Sequence, residues 1–193
     1  TTLHRINGMF AFGVWDTVQR TLTLARDRVG KKPLYYGWAG QAFLFASELK
    51  AFHHHPDFDT ELDSGAIAQF IQYSWIPAPL SIYRAIRKLP PGCVLSLTPE
   101  TPPWTLEPCP YWDASHIALE AERKGFAGTF EEAIEELDTI LRDAVRWRMI
   151  ADVELGALLS GGIDSTMVVA LMQIASTRPV KTFSIGFWDE KFN

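Results

Sequence analysis

Ser160-Gly161-Gly162-Ile163-Asp164-Ser165 stands between two apolar segments, and its surroundings set the fold class. Ahead of it runs the short strand-like stretch Val153–Leu159 (VELGALL). Behind it come the helix-like stretch Thr166–Ile174 (TMVVALMQI) and a second strand-like stretch, Val180–Phe187 (VKTFSIGF). Strand, glycine loop, buried helix and strand form a βαβ unit, so the two strands are expected to be parallel with a right-handed crossover. Two adjacent glycines let the backbone turn tightly and approach a ligand with no Cβ in the way. The loop N–H groups and the free N–H groups of the helix start then face one point, a seat for phosphate. Ser160 and Ser165 add hydroxyl donors. The Asp164 carboxylate repels an anion unless Mg²⁺ lies between them, and Mg²⁺ is commonly held by one or two carboxylates together with substrate phosphates. The competing reading makes Asp164 a helix-start carboxylate that satisfies backbone N–H groups. The pattern G-x-x-x-x-G-K-S/T is absent and no Lys follows the glycines, so this is not a P-loop of the Walker type.

Upstream of the loop, Thr129-Phe130-Glu131-Glu132 has the form of a capping box. Phe130, Ile134, Leu137, Leu141 and Ala144 follow at helical spacing. Acids crowd the start of this helix and Arg142, Arg146 and Arg148 its end, which suits the helix dipole. The helix is expected to end near Met149 or Ile150. Further back, five of the twelve prolines fall between Pro99 and Pro110. Proline fixes φ and lacks an N–H, so this stretch is neither a central strand nor a helix interior. The first half reads as β: Gly8–Asp16, Thr21–Ala25, a hairpin from Pro33–Trp38 and Gln41–Ala46, and Cys93–Leu97 after the turn Leu89-Pro90-Pro91-Gly92. A helix is expected from Asp63-Ser64, with Ala66, Ile67, Phe70 and Ile71 at helical spacing.

Composition narrows the function classes. The chain has 193 residues, 47% hydrophobic and 21% charged, as in globular proteins. A net charge of -5 disfavours a nucleic-acid-binding domain, and no nucleic-acid partner is expected. No apolar run approaches the roughly 18 residues that cross a bilayer, and no signal segment is visible, so no membrane association is expected. Cys93 and Cys109 match no C-x-x-C spacing, no disulfide is expected between them, and a cytoplasmic setting follows. The openings at Thr1-Thr2-Leu3 and the ending at Lys191-Phe192-Asn193 suggest a piece of a longer chain.

Ser160–Ser165 after Gly156-Ala157-Leu158-Leu159 resembles the pyrophosphate-binding loop of the ATP-pyrophosphatase superfamily, which includes asparagine, GMP, NAD and argininosuccinate synthetases. The first half selects among them. Gly8-Met9-Phe10-Ala11-Phe12, Arg26-Asp27-Arg28-Val29-Gly30-Lys31-Lys32-Pro33-Leu34-Tyr35-Tyr36, Ala46-Ser47-Glu48-Leu49-Lys50-Ala51 and Lys88-Leu89-Pro90-Pro91-Gly92 resemble the glutaminase domain of glutamine-hydrolysing asparagine synthetases. Tyr111-Trp112 resembles that domain's end. The resemblance implies an α+β sandwich of the amino-terminal-nucleophile type, in part, followed by part of an α/β parallel-sheet adenine-nucleotide-binding domain. It divides the chain into residues 1–112 (glutamine amidotransferase), a linker at 113–128 and residues 129–193 (synthetase).

The activity implied for the parent protein is amidation of aspartate to asparagine: ATP adenylates the β-carboxylate, and ammonia from glutamine attacks the β-aspartyl-AMP. ATP and Mg²⁺ are the implied cofactors, and ATP, aspartate and glutamine the small-molecule partners, with a homodimer as candidate assembly. Leu158, Ser160, Gly161, Gly162, Asp164, Ser165 and Ile185 are implied ATP contacts, with Asp164 as the Mg²⁺ ligand. The family's glutaminase nucleophile is an N-terminal Cys. Neither Cys93 nor Cys109 stands in that place, so no catalytic residue is assigned here, and the 193 residues alone are expected to be inactive. Two alternatives stay open: a related amidotransferase or β-lactam-synthetase-like enzyme that adenylates another carboxylate, and a nucleotide-binding relative without catalysis.

Three further expectations concern single features. Arg26-Asp27 is read as a buried or interface ion pair supporting the β domain, in preference to a direct catalytic role. His53-His54-His55 is read as an exposed loop, since consecutive side chains do not converge on one ion. Phe10, Phe12 and Trp15 are read as core aromatics of a sheet.

Overall fold

The computed structural model describes residues 2–186 and residue 188; Thr1, Phe187 and the chain end named above lie outside them. The chain forms two compact units, Thr1–Arg123 and Lys124–Asn193.

After a single helical turn, α1 (Thr2–Arg5), the first unit is built on two antiparallel sheets. One has the order β1 (Ala11–Asp16), β2 (Thr21–Arg26), β6 (Cys93–Leu97), β7 (Cys109–Pro110). The other has the order β4 (Ala42–Ala46), β3 (Tyr35–Ala39), β5 (Ile86–Lys88). The proline-rich stretch supplies only the two-residue edge strand β7, where a missing N–H costs nothing in the ladder. The β3–β4 hairpin closes with Ala39 opposite Ala42, leaving Gly40 at φ +58° in the tight turn. Between β4 and β5 the chain leaves the sheet for a 3-10 helix (Leu49–His54) and α2 (Ser64–Tyr73). Asp63 caps α2 by accepting the Ala66 amide at 2.9 Å.

The two sheets share one core. Leu24 and Leu95 from one meet Tyr36 from the other, with Leu34, Leu89 and Cys93 around them. Here the aromatic expectation for β1 is corrected. Ala11 packs against this core, and Gly13 on the same face lets the Phe45 ring come close: a Cβ there would lie 3.0 Å from it. Alternation then puts Phe12 on the opposite face, beside Phe10 at a ring separation of 5.3 Å. Trp15 is half exposed. The close approach of Phe45 leaves no room for an aromatic side chain at position 13.

Arg26 and Asp27 are also arranged differently from the expected ion pair, because their hydrogen bonds go to the backbone. The Asp27 carboxylate, 1% exposed, accepts the amides of Phe10 (3.2 Å), Lys31 (2.9 Å) and Lys32 (2.9 Å). Its own amide donates to Phe10 O, and its carbonyl accepts from Gly30 and Gly92. Arg26 donates to the carbonyls of Gly30, Lys32 and Leu89. Tyr111 closes the arrangement by donating its hydroxyl to Arg26 O at 2.9 Å. Gly92 is required at the crossing point: its φ is +65°, and a Cβ would lie 2.3 Å from the Trp112 carbonyl oxygen.

His53 and His54 lie in the 3-10 helix rather than in a loop. His53 Nε2 lies 2.8 Å from Tyr83 Oη, with its ring edge-on to Phe58. Among the described residues no group of three or more His, Cys, Asp or Glu is placed to hold a metal. No helix among them is long and apolar enough to cross a membrane.

Residues 113–128 carry α3 (Ala114–Lys124). The second unit contains α4 (Phe130–Arg148), β8 (Gly156–Leu158), α5 (Ile163–Ala175) and β9 (Lys181–Phe183). The capping box of α4 is complete: Thr129 Oγ1 accepts the Glu132 amide at 3.2 Å, and Glu132 Oε2 accepts the Thr129 amide at 2.7 Å. β8 and β9 are parallel, with Leu158 opposite Phe183.

Burial alone would raise the Asp27 carboxyl, but the amides of Lys32, Lys31, Phe10 and Val29 outweigh it and hold the group below the ordinary carboxylate range. A lowered folded-state pKa means stability that is complete above the unfolded value near 4 and lost as the pH falls through the folded value. Asp27→Ala leaves buried amides without an acceptor, and a loss of about 3 kcal/mol or more in urea unfolding at pH 7 is expected. Asp27→Asn keeps one acceptor oxygen; it should lose less and show a flatter acid limb in the same measurement.

Candidate functional site

The site predicted at Ser160–Ser165 is built at the carboxyl ends of two parallel strands. β8 ends at Leu158, and the chain turns through Leu159–Gly162 into α5. Two bonds hold the strand ends together beyond the ladder. The Leu159 amide donates to Phe183 O at 2.8 Å, and Ser184 Oγ donates to Leu159 O at 2.6 Å. This clamp brings Leu158 and Ile185, distant in sequence, to the same end of the sheet. Both side chains are largely exposed, at 72% and 77%.

Helix α5 begins earlier than the sequence suggests. Gly162 is its N-cap and Ile163 its first residue, so Ile163, Asp164 and Ser165 form the first helical turn rather than loop. Gly162 offers no capping side chain. The helix start is instead braced from within: Ser165 Oγ and Thr166 Oγ1 donate to Gly162 O at 3.0 and 2.9 Å. Ser160 Oγ lies 3.1 Å from Ser165 Oγ, across the mouth of the turn. Asp164 is exposed on the first turn of α5, where a carboxylate is favoured by the helix dipole.

The two glycines do different work. Gly161 has φ +82°, a conformation other residues rarely adopt. Gly162 has φ -74° and ψ 159°, ordinary extended backbone, and a Cβ there would meet only Ser160 Oγ at 3.5 Å. Nothing within the chain therefore demands glycine at 162. A bare backbone at that point leaves the amides of the helix start open to an approaching group.

Ser160, Gly161, Gly162, Asp164 and Ser165 are thus assembled in one turn, with Leu158 and Ile185 on flanking strand ends. Sequence reasoning missed Ser184 and Thr166. Thr166, four residues after Gly162, is the position from which a first-turn hydroxyl reaches an N-cap carbonyl. Ser184 carries no such local signal, because its partner is a residue 25 positions away.

Comparison with known proteins agrees with both halves. Residues 1–112 match the family model described as a glutamine amidotransferase domain. Residues 136–193 match the one described as asparagine synthase. A putative glutamine-hydrolysing asparagine synthetase of Mycobacterium tuberculosis is 36% identical over 99% of this chain and 29% of its own length. Asparagine synthetase (glutamine-hydrolysing) 3 of Bacillus subtilis is 30% identical over 94% of this chain and 29% of its own. A protein of Gibberella zeae named as an amidase is 31% identical over 88% of this chain and 24% of its own. The chain belongs to the glutamine amidotransferase domain family, whose model covers residues 1–112, and it spans about 29% of the length of the first two of these relatives.

The contrast between the glycines is measurable by thermal unfolding. Gly161→Ala forces a side chain into positive φ and should cost about 1 kcal/mol. Gly162→Ala should change stability by no more than about 0.5 kcal/mol.

Proposed function

We propose that the protein to which these residues belong forms asparagine from aspartate, using ATP and ammonia released from glutamine. The observation that carries this reading is Gly162, a glycine which the fold does not require, at the start of a helix beside two hydroxyls. In this reading residues 1–112 belong to an amino-terminal-nucleophile sandwich and residues 129–193 open an α/β nucleotide-binding domain.

Ser160, Gly161, Gly162 and Ser165 form the pyrophosphate seat. A carboxylate is a poor acceptor for ammonia, and adenylation supplies a leaving group. Negative charge grows on the departing pyrophosphate, where the amides of the helix start and the serine hydroxyls stabilise it. Leu158 and Ile185 give the adenosine part of ATP apolar contacts at the carboxyl ends of β8 and β9, where parallel sheets bind ligands. Asp164 is the group to hold Mg²⁺, an ion that takes one or two carboxylates and most of its other ligands from phosphate and water. When bound, that ion neutralises phosphate charge.

The glutaminase nucleophile has no candidate here. Cys93 is buried in the core and its thiol pushed up, by burial first and then by Cys109 and Asp113, while Cys109 lies exposed on edge strand β7. The 193 residues alone are therefore proposed to catalyse neither half-reaction. A cytoplasmic homodimer acting on ATP, aspartate and glutamine completes the reading. The second reading is adenylation of a different carboxylate by the same loop.

The test is ATP–pyrophosphate exchange by the full-length protein against a panel of acids. Aspartate-dependent exchange is expected; exchange only with another acid would establish the second reading, and none with any acid would reject both. Gly162→Val should remove ATP binding in equilibrium titration while the far-UV circular dichroism stays unchanged. Unaltered ATP affinity in that variant would refute the loop assignment.

A further inference from the structure

The first unit holds a cavity that the proposed chemistry does not use. Its volume is about 420 Å³, within the range of small-molecule sites. Arg26 and Lys88 are the only charged side chains among the described residues that line it. Tyr35 adds a phenol, and Trp75, Pro33 and Pro91 contribute apolar surface. Lys88 sits on β5 directly opposite Tyr35 on β3, so the sheet fixes the base of the cavity.

Two cations facing one cavity with no carboxylate in its lining is an unusual expense in a chain whose net charge is -5. Both are anchored rather than free. Arg26 is pinned by the carbonyls of Gly30, Lys32 and Leu89, and Lys88 Nζ donates to the Ile76 carbonyl. A guanidinium has five N–H donors and an ammonium three, so both groups keep donors beyond these bonds. The Asp27 carboxylate, next to Arg26 in the chain, is occupied by three backbone amides. The physical signs of a missing counter-charge agree: burial first, and the neighbouring Arg26 second, pull the Lys88 ammonium below the ordinary lysine range. On the rim, Trp75 is 59% exposed, an aromatic surface held in water next to two cations.

We infer that the cavity between β3, β5 and the Trp75 segment is a binding site for a small organic anion, its carboxylate or phosphate held by Arg26 and Lys88 and its apolar body packed against Trp75. Its lining residues all belong to the first unit and the pyrophosphate loop to the second, and the inference stands whether or not that loop binds ATP.

The experiment is isothermal titration of the full-length protein, carried in a Gly162→Val background so that the loop cannot contribute phosphate binding. Phenyl phosphate, phenylacetate and inorganic phosphate are the probes. Saturable binding of phenyl phosphate or phenylacetate is expected, and whichever binds tighter identifies the head group. Lys88→Met should weaken it by about tenfold or more, since a charge-assisted bond is lost, while Lys88→Arg should stay within about threefold. Trp75→Ala, an exposed position where folding is not at stake, should weaken the aryl probes and leave inorganic phosphate unchanged. Absence of saturable binding by any of the three probes would overturn the inference, as would equal affinities in the parent, Lys88→Met and Trp75→Ala proteins.

Discussion

The Asp27 carboxylate is the point on which the first unit depends. Three amides from two separate loops end on it, and its own main chain ties β1 to the Gly92 turn. A buried carboxylate is costly unless its lone pairs are filled. Here they are filled by backbone, so the charge specifies the path of the chain rather than pairing with a side chain. Arg26 works in the complementary sense, gathering carbonyls from Gly30 and Lys32 on the shared loop and from Leu89. Neighbouring residues of opposite charge thus organise opposite halves of the peptide group, and Tyr111 locks the end of the unit onto the result.

The second unit rests on smaller devices. The capping box at Thr129 starts α4 with bonds made within four residues. A two-stranded parallel sheet is weak by itself. The Ser184–Leu159 bond therefore matters more than one hydrogen bond usually does, because it fixes the strand ends from which the loop departs. The Ser165 and Thr166 hydroxyls satisfy the Gly162 carbonyl, which braces the helix start from within.

Much of this was legible in the sequence. Thr129 with Glu132, Asp63 before Ser64 and the Gly40 turn each announce themselves over a few residues, and each is found where local chemistry puts it. The alternation in Phe10–Trp15 revealed a strand but not which face is inward. That choice is made by Phe45 on another sheet, which needs the space over Gly13. Arg26 and Asp27 suggested each other as partners because they are adjacent, whereas their real partners lie as far away as Phe10 and Leu89. The glycine loop Ser160–Ser165 was visible as a motif. Its division between turn and helix was not, since Gly162 is a poor cap and only the side chains of Ser165 and Thr166 show where the helix begins.

The excursion between β4 and β5 has a consequence for how such a chain can vary. β5 returns to pair with β3 whatever the length of the path it took. Closing a flexible loop of twice the length costs only about 0.6 kcal/mol more. The segment carrying Trp75 can therefore be lengthened, shortened or rewritten without disturbing the register of either sheet or the carboxylate that orders them. Arg26 and the Lys88 backbone are placed by that register, while the excursion touches the cavity through Trp75 and through the Ile76 carbonyl that receives Lys88 Nζ. Relatives built on this frame can keep one charged floor and, by changing the excursion alone, acquire different tastes.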